Sequence, residues 1–431
     1  MDLSINNARL FDGSAVREGL FSVGIIGNKI TSVGSLTAHA GKEINAAGRF
    51  LMPGLIDCHI HLLNMWTVKD EQTMAADLEH EVPRRLDDFL AAGVTTIKSA
   101  GDSEDDILRV RAMLESGELR GPRLFATGAA FAAPGSHPSS TVYAQNPWLG
   151  SRTIIESDSP TEVRDAVRRL AEKKVNAIKI VHQGGCKHGE PYFFRAEGIN
   201  IQIHRLERAV LEAIVDEAHK HELTATVHTF EQDAAIEALE AGADGLEHGI
   251  MERELDGDRV IELLLRNRAS YVPTLWLLAF EEHAAAVRYA NLKRVADAGV
   301  RVALGSDTFC GYGKFGESTL VETERTVAAG IAPEKVLKMA TGDAAEHLGS
   351  DAFGTIANIP GARRLMTEVA KQGAPWIFGL DPRSIGEYLE PFHLALKADV
   401  GGADYNARYL TPMNRKLAVS ECERIAEAVV R

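Results

Sequence analysis

Between about residue 52 and residue 348, short apolar runs alternate with longer stretches in which apolar residues recur every three or four positions. The runs are GLIDCHIH (54–61), VTTIKSAG (94–101), RLFATGAA (123–130), VNAIKIVHQ (175–183), LTATVHT (223–229), DGLEHG (244–249), ASYVPTL (269–275) and VRVALGSD (300–307), eight in all. Their length suits buried strands, and the periodic stretches between most of them suit helices. SPTEVRDAVRRLAEKK (159–174) is a clear helix signal: Ser159 can cap, Pro160 fits the first turn and Glu162 completes a capping box. LERAVLEAIVDEAHKH (206–221) and EQDAAIEALEAG (231–242) follow the same logic, the second ending at Gly242. Eight strands alternating with helices predict an α/β fold with a parallel sheet, closed as a (β/α)₈ TIM barrel. A doubly wound open sheet is the rival, but it wants a Gly-rich phosphate turn after the first strand, and none is there.

The flanks read differently. In residues 1–51, SINNARLFDG and FSVGIIGNKITSVGS alternate and are broken by glycine and asparagine, which predicts a small β-rich domain of antiparallel type. The barrel then takes residues 52–350. In residues 351–431, GARRLMTEVAKQG, DPRSIGEYLEPFHLALKADV and SECERIAEAVVR lean helical, a segment expected to complete the small domain in part or to pack on the barrel. The net charge of −14 argues against nucleic acid or an anionic membrane as partner. The first residues show neither a basic flank nor an apolar signal core, and no run approaches the length of a membrane span. Cys58, Cys186, Cys310 and Cys422 form no CxxC pair, which suits reduced thiols in a cytoplasmic protein. A small-molecule substrate and a homo-oligomer are the expected partners.

Alternate residues of a strand share a face. In the first run this groups Asp57, His59 and His61 against Ile56, Cys58 and Ile60, and two imidazoles at i and i+2 can reach one metal ion. Taken alone, that pattern is as well explained by an ordinary strand. In the fourth run, Ile178 and Ile180 suit the helix-facing side and leave Lys179 pointing inward. A lone buried ammonium is costly, so Lys179 either forms a salt bridge or is held as the amine, which can add CO₂ and become an anionic carbamate. Lys98 in the second run competes for that role, with a structural ion pair favoured for it. The fifth and sixth runs end in His228 and His248, and the eighth delivers Asp307 at its tip. Each is innocent taken singly. Five strands ending in ligand-type side chains on one barrel face argue together for a metal site.

This ordered set, HxH then lysine, histidine, histidine and aspartate, resembles the amidohydrolase superfamily. The stretches AIKIVHQGG, AIVDEAHKHELTATVHT, ALEAGADGLEHGI and YVPTLW are similar to its imidazolonepropionase-like and Xaa-Pro dipeptidase branch. The resemblance implies two divalent ions, with zinc the default. His59, His61 and Asp307 would hold one ion and His228 and His248 the other, with carboxylated Lys179 and a hydroxide bridging them. The hydroxide would attack a carbonyl, with Asp307 as general base and acid. The implied activity is hydrolysis of an amide C–N bond in a dipeptide or N-acyl amino acid. A urea or carbamate hydrolase, a cyclic amidase or deaminase, and a non-catalytic barrel are the alternatives.

The chain departs from the branch at Phe230, where relatives commonly carry a tyrosine near the substrate. His137 sits after the third strand, where relatives often place a histidine facing substrate. Tyr192, with Phe193 and Phe194 in a long loop after the fourth strand, is a further pocket candidate, although such trios are more often simply packed. FGTIANIPGARRLM (353–366) stands where relatives usually close the small domain with a strand signal.

Overall fold

The computed structural model describes residues 1–34, 40–184, 203–279, 285–311, 314–349, 394–400 and 425–430. Two compact units emerge: Met1–Phe11, Val16–Met52 and Ala362–Arg431 form one, and Asp12–Ala15 with Pro53–Gly361 form the other.

The first unit holds β1 (Leu3–Leu10), β2 (Phe21–Ile26), β3 (Lys29–Gly34), β4 (Lys42–Asn45) and β5 (Phe50–Leu51). Leu3, Leu10, Val23 and Ile25 are buried together in a small core; Val23 and Ile25 share a face by alternation, and the irregularity of β1 between Ile5 and Ala8 brings Leu3 and Leu10, seven residues apart, to the same cluster. The pairing is mixed rather than antiparallel throughout: β1–β2 and β2–β3 run antiparallel, whereas β4 and β5 lie parallel to β1. Glycine and asparagine mark turns, but they do not report whether a later strand returns to the far edge of β1.

The second unit carries every predicted strand. They are β6 (Leu55–Ile60), β7 (Val94–Ser99), β8 (Arg123–Ala126) with its continuation β9 (Ala130–Ala132), β11 (Ala177–Val181), β12 (Thr224–His228), β13 (Gly245–Glu247), β14 (Ser270–Val272) and β15 (Arg301–Val302), and a short strand that was not predicted, β10 (Ile154–Glu156), is added beside β9. All pairings within the unit are parallel, in the orders β6-β7-β8 and β10-β9-β11-β12-β13-β14-β15. The third run is split at Gly128, whose φ of 67° breaks the strand, so that its halves join different sheets. Backbone bonds also run from Cys58 N to Leu304 O (2.8 Å), from Asp307 N to His59 O (2.7 Å) and from Asn176 N to Ala126 O (2.9 Å). They link the first strand to the last and the third to the start of the fourth.

The helices follow their sequence signals. Helix Pro160–Glu172 starts after Ser159, whose hydroxyl accepts the Glu162 N–H at 3.4 Å. The capping box is not completed as expected: the Glu162 carboxylate accepts from the Ser157 hydroxyl (2.8 Å), which itself accepts the Ser159 N–H (3.0 Å). A hydroxyl two residues upstream thus takes the place of the direct return contact. Ile56, Cys58, Val272, Ala303, Ala344 and Ala345 pack as a core cluster, which confirms the helix-facing side of the first strand. Among the described residues no helix is long and apolar enough to cross a membrane.

The helical leaning of residues 351–431 needs correction where that segment is described. β16 (Leu394–Val400) and β17 (Ile425–Val430) are antiparallel strands. LALKADV and IAEAVV are short, alanine-containing apolar runs that periodicity does not assign to either class, and alternation in the first is as good as a helical match. GARRLMTEVAKQG lies outside the described residues.

Candidate metal centre

Five strands bring their predicted side chains to one cavity, lined by His59, His61, Lys179, His228, His248 and Asp307 among others. Register sets the ends level: Val181 lies opposite His228, and His228 opposite Glu247. His59 lies on β6 and His61 just past it, while His248 follows β13 directly. Two of the set sit where the chain departs from extended geometry, His248 at φ 71° and Asp307 at φ 58°. A non-glycine residue in this left-handed region costs about 1 kcal/mol or more, which the surroundings must offset. Asp307 caps no helix, since the next one begins at Glu317.

The carboxylate of Asp307 is the hub. Its Oδ1 lies 3.4 Å from His59 Nε2 and 3.3 Å from His61 Nε2, and its Oδ2 lies 3.3 Å from His248 Nδ1. The His228 and His248 rings pack with centroids 4.3 Å apart, and those of His59 and His248 4.6 Å apart. His59, His248 and Asp307 place one potential ligand atom each within 4.8 Å of the others. This grouping differs from the expected triad of His59, His61 and Asp307, because Asp307 reaches across to the sixth strand as well as to the first.

The donor chemistry fits a cation. His59 Nδ1 faces Glu247 Oε2 at 2.6 Å, and His61 Nδ1 faces the Gly101 carbonyl at 3.0 Å. Both partners only accept, so both rings donate through Nδ1 and keep a lone pair on Nε2. These lone pairs point at the Asp307 carboxylate, a repulsive arrangement until a cation or a proton lies between. Burial, reinforced by the Lys179 charge, pushes His59 down to about 4 and so disfavours the proton there. Nε2 of His59, His228 and His248 and Nζ of Lys179 are all buried without a hydrogen bond. Buried polar atoms are ordinarily satisfied, so three imidazole nitrogens left without a hydrogen bond around one cavity fit a cation there. Burial also brings Lys179 down to about 8. For Asp307, burial works upward, but His59, His61 and Lys179 hold its carboxyl below the usual range.

Behind this layer runs a buried chain that the sequence analysis found only in part. Lys98 is the structural ion pair expected of it, donating to Glu247 Oε1 at 2.8 Å. Its other neighbour is His347 Nε2, at 3.0 Å. Glu247 itself escaped notice beside His248, although a carboxylate inside a short buried strand signals a need for a partner. Burial would raise its carboxyl, yet Lys98, Lys179 and the His59 N–H hold it well below the usual range. Asp57, grouped by alternation with His59 and His61, does not line the cavity as they do; it accepts from Ser306 Oγ (2.7 Å), Ser306 N (2.9 Å) and Thr319 Oγ1 (2.6 Å).

Of the substrate-facing candidates, His137 is buried with its ring 4.9 Å from His228, and its Nδ1 lies 2.7 Å from Thr141 Oγ1. Phe230 packs on His228 at 4.6 Å and on His248 at 5.1 Å, and both residues line the cavity. Tyr192 lies outside the described residues.

Known proteins place this arrangement in context. A sequence model described as the amidohydrolase family matches residues 50–362, well over half of the chain. The chain is 25% identical over 337 residues to ochratoxinase from Aspergillus niger, covering 70% of this chain. That match spans 66% of the ochratoxinase, just under two thirds of its length. Imidazolonepropionase from Shouchella clausii is 25% identical over 400 residues, covering 78% of each protein. A crystal structure of a Xaa-Pro dipeptidase with methionine in its active site superposes with a TM-score of 0.65, at 24% identity, over 80% of this chain and 88% of that one. The shared fold is TIM-barrel-like α/β.

Proposed function

The chain belongs to the amidohydrolase family, and from that premise we propose that it is a metal-dependent hydrolase of C–N bonds, cleaving the amide of a small substrate. The observation that carries this reading is one cavity lined by His59, His61, Lys179, His228, His248 and Asp307, in which three imidazole nitrogens and the lysine amine are buried without a hydrogen bond and Asp307 approaches His59, His61 and His248. The parallel strands close into a barrel whose C-terminal rim presents these groups, which is where such folds carry their chemistry. His59, His61, His228, His248 and Asp307 are the residues that would hold two divalent ions, zinc by the imidazole-rich chemistry of the set. Lys179, buried and shifted towards its neutral amine, could add CO₂ with loss of a proton, and the resulting carbamate would supply an anionic ligand to the metal site. When bound, the ions supply Lewis acidity that activates water and polarises the substrate carbonyl.

The residues of the chain then divide the remaining work. Asp307, held ionised by its neighbours, accepts the proton of the attacking water at its carboxylate and returns it to the departing nitrogen. Glu247 fixes the His59 ring so that Nε2 faces the site, and Lys98 fixes Glu247. Phe230 walls the His228 side and keeps water out, without the hydroxyl that a tyrosine would bring. Alternatives with the same ligands, a cyclic amidase or a deaminase, differ in product. The test is a panel of dipeptides, N-acyl amino acids, neutral amides, ureas and cyclic amides, assayed for free amine and for ammonia before and after chelation. Release of amine or amino acid that chelation abolishes and zinc restores is expected. Turnover that survives complete removal of metal would overturn the reading.

A further inference from the structure

We propose that the substrate is an uncharged acyl-nitrogen compound, an amide or urea, carrying a bulky aryl or branched alkyl group, and that a wall centred on Trp66 receives that group; this rests on the reading of the site as a C–N hydrolase. The cavity has a volume of about 390 Å³, within the range that encloses a drug-sized molecule. Its floor is the histidine cluster. Away from the floor it is bounded by Met65, Trp66, Val142, Tyr143, Leu277 and Phe309.

The indole nitrogen of this wall is spent on the protein itself. The Trp66 indole N–H donates to the Cys310 carbonyl at 3.0 Å, so the ring offers its faces and edge but no donor. Tyr143 is buried in the same wall. Trp66 remains 42% exposed and lines the cavity beside Met65 and Phe309, so its ring adds to an apolar surface open to a ligand. It is also held in place. Asn64 Oδ1 accepts the N–H of Trp66 (3.0 Å) and of Thr67 (3.1 Å), and Asn146 Nδ2 donates to Val68 O (2.6 Å). Phe309 stands edge-on to Trp66, with centroids 6.4 Å apart, and continues the wall. Among the described lining residues the ammonium is that of Lys179, down among the imidazoles. A substrate carboxylate lodged against the outer wall would lose its hydration with no cation among the described wall residues to replace it. An apolar substituent gains by the same desolvation. In the reaction, water adds its oxygen to the acyl carbon, the C–N bond breaks, and the departing nitrogen takes the proton.

The zinc-loaded full chain should be assayed on matched pairs: anilides, N-benzyl amides and phenylureas against the same compounds bearing a free carboxylate, including N-benzoylglycine and dipeptides. The neutral members are expected to show kcat/KM at least about 10-fold higher. Trp66→Ala is expected to lower kcat/KM for neutral aryl substrates about 10-fold, mainly through KM, with bound zinc unchanged, and Trp66→Phe to retain most of the activity. Equal or faster turnover of the carboxylates, or indifference of neutral substrates to Trp66→Ala, would overturn the wall while leaving the hydrolase reading intact. If no member of the panel is cleaved, the hydrolase reading falls. The wall is then judged by calorimetric binding of phenylurea, with about 10-fold weaker binding to Trp66→Ala supporting it and equal binding overturning it.

Discussion

Glu247 and Lys98 show how much of a metal centre lies behind its ligands. A carboxylate that takes the Nδ1–H of a ligating imidazole selects the tautomer and raises the basicity of Nε2, and such partners are worth about 10- to 100-fold in metal affinity. Glu247→Ala is therefore expected to weaken zinc binding by about that factor, measured by competition with a chromophoric chelator. Glu247→Gln keeps an acceptor but removes the charge that balances Lys98, and it should fall between the two. Unchanged affinity in Glu247→Ala would remove Glu247 from the site. Residues with one chemical purpose, such as His228 and Lys179, were legible in the sequence because each is an unlikely occupant of an inward strand position. Glu247 was not, because its purpose is defined only by Lys98 and His59, distant in the chain and joined to it by the fold.

At the scale of elements, the strand–helix alternation was legible throughout the second unit, since each run is short, apolar and bounded by a helical period. The split of the third run at Gly128 was not, because it depends on which neighbour each half pairs with. The strand ends are tightly packed as well. Gly249, at φ 71°, lies against the Tyr271 side chain, whose hydroxyl accepts the Ile250 N–H at 3.0 Å. Gly249→Ala would add a methyl where the phenol stands and in a backbone region that disfavours it. Urea unfolding should show a loss of about 1–3 kcal/mol, and an unaltered midpoint would contradict this packing. A second prediction concerns the helix Glu317–Ala328. Its Glu322 is buried, accepts the Trp276 N–H at 2.6 Å, and burial pushes its carboxyl up to about 8. A folded pKa above the unfolded value means that the associated stability is complete below the unfolded pKa and is lost as pH rises through about 8. Glu322→Gln removes that titration, so its melting temperature should match the wild type near pH 5 and exceed it increasingly towards pH 9. A pH-independent difference would show that Glu322 does not titrate in this way.

For the whole molecule, the acidic net charge of −14 argues against nucleic-acid partners, but it carries no information about substrate. The metal set was legible because parallel α/β folds send strand ends to one face, so residues scattered from His59 to Asp307 could be assigned to one place before any distance was known. The antiparallel pair β16–β17 was missed because short apolar runs satisfy helix and strand periods alike. The central claim is that these imidazoles, Lys179 and Asp307 gather around divalent cations. Its most direct test is elemental analysis of the full chain after equilibration with zinc and bicarbonate and removal of free metal. The account predicts two tightly held ions per chain, lost together in a variant carrying His59→Ala and His248→Ala. A protein that retains no metal, or retains the same amount in that variant, would contradict it.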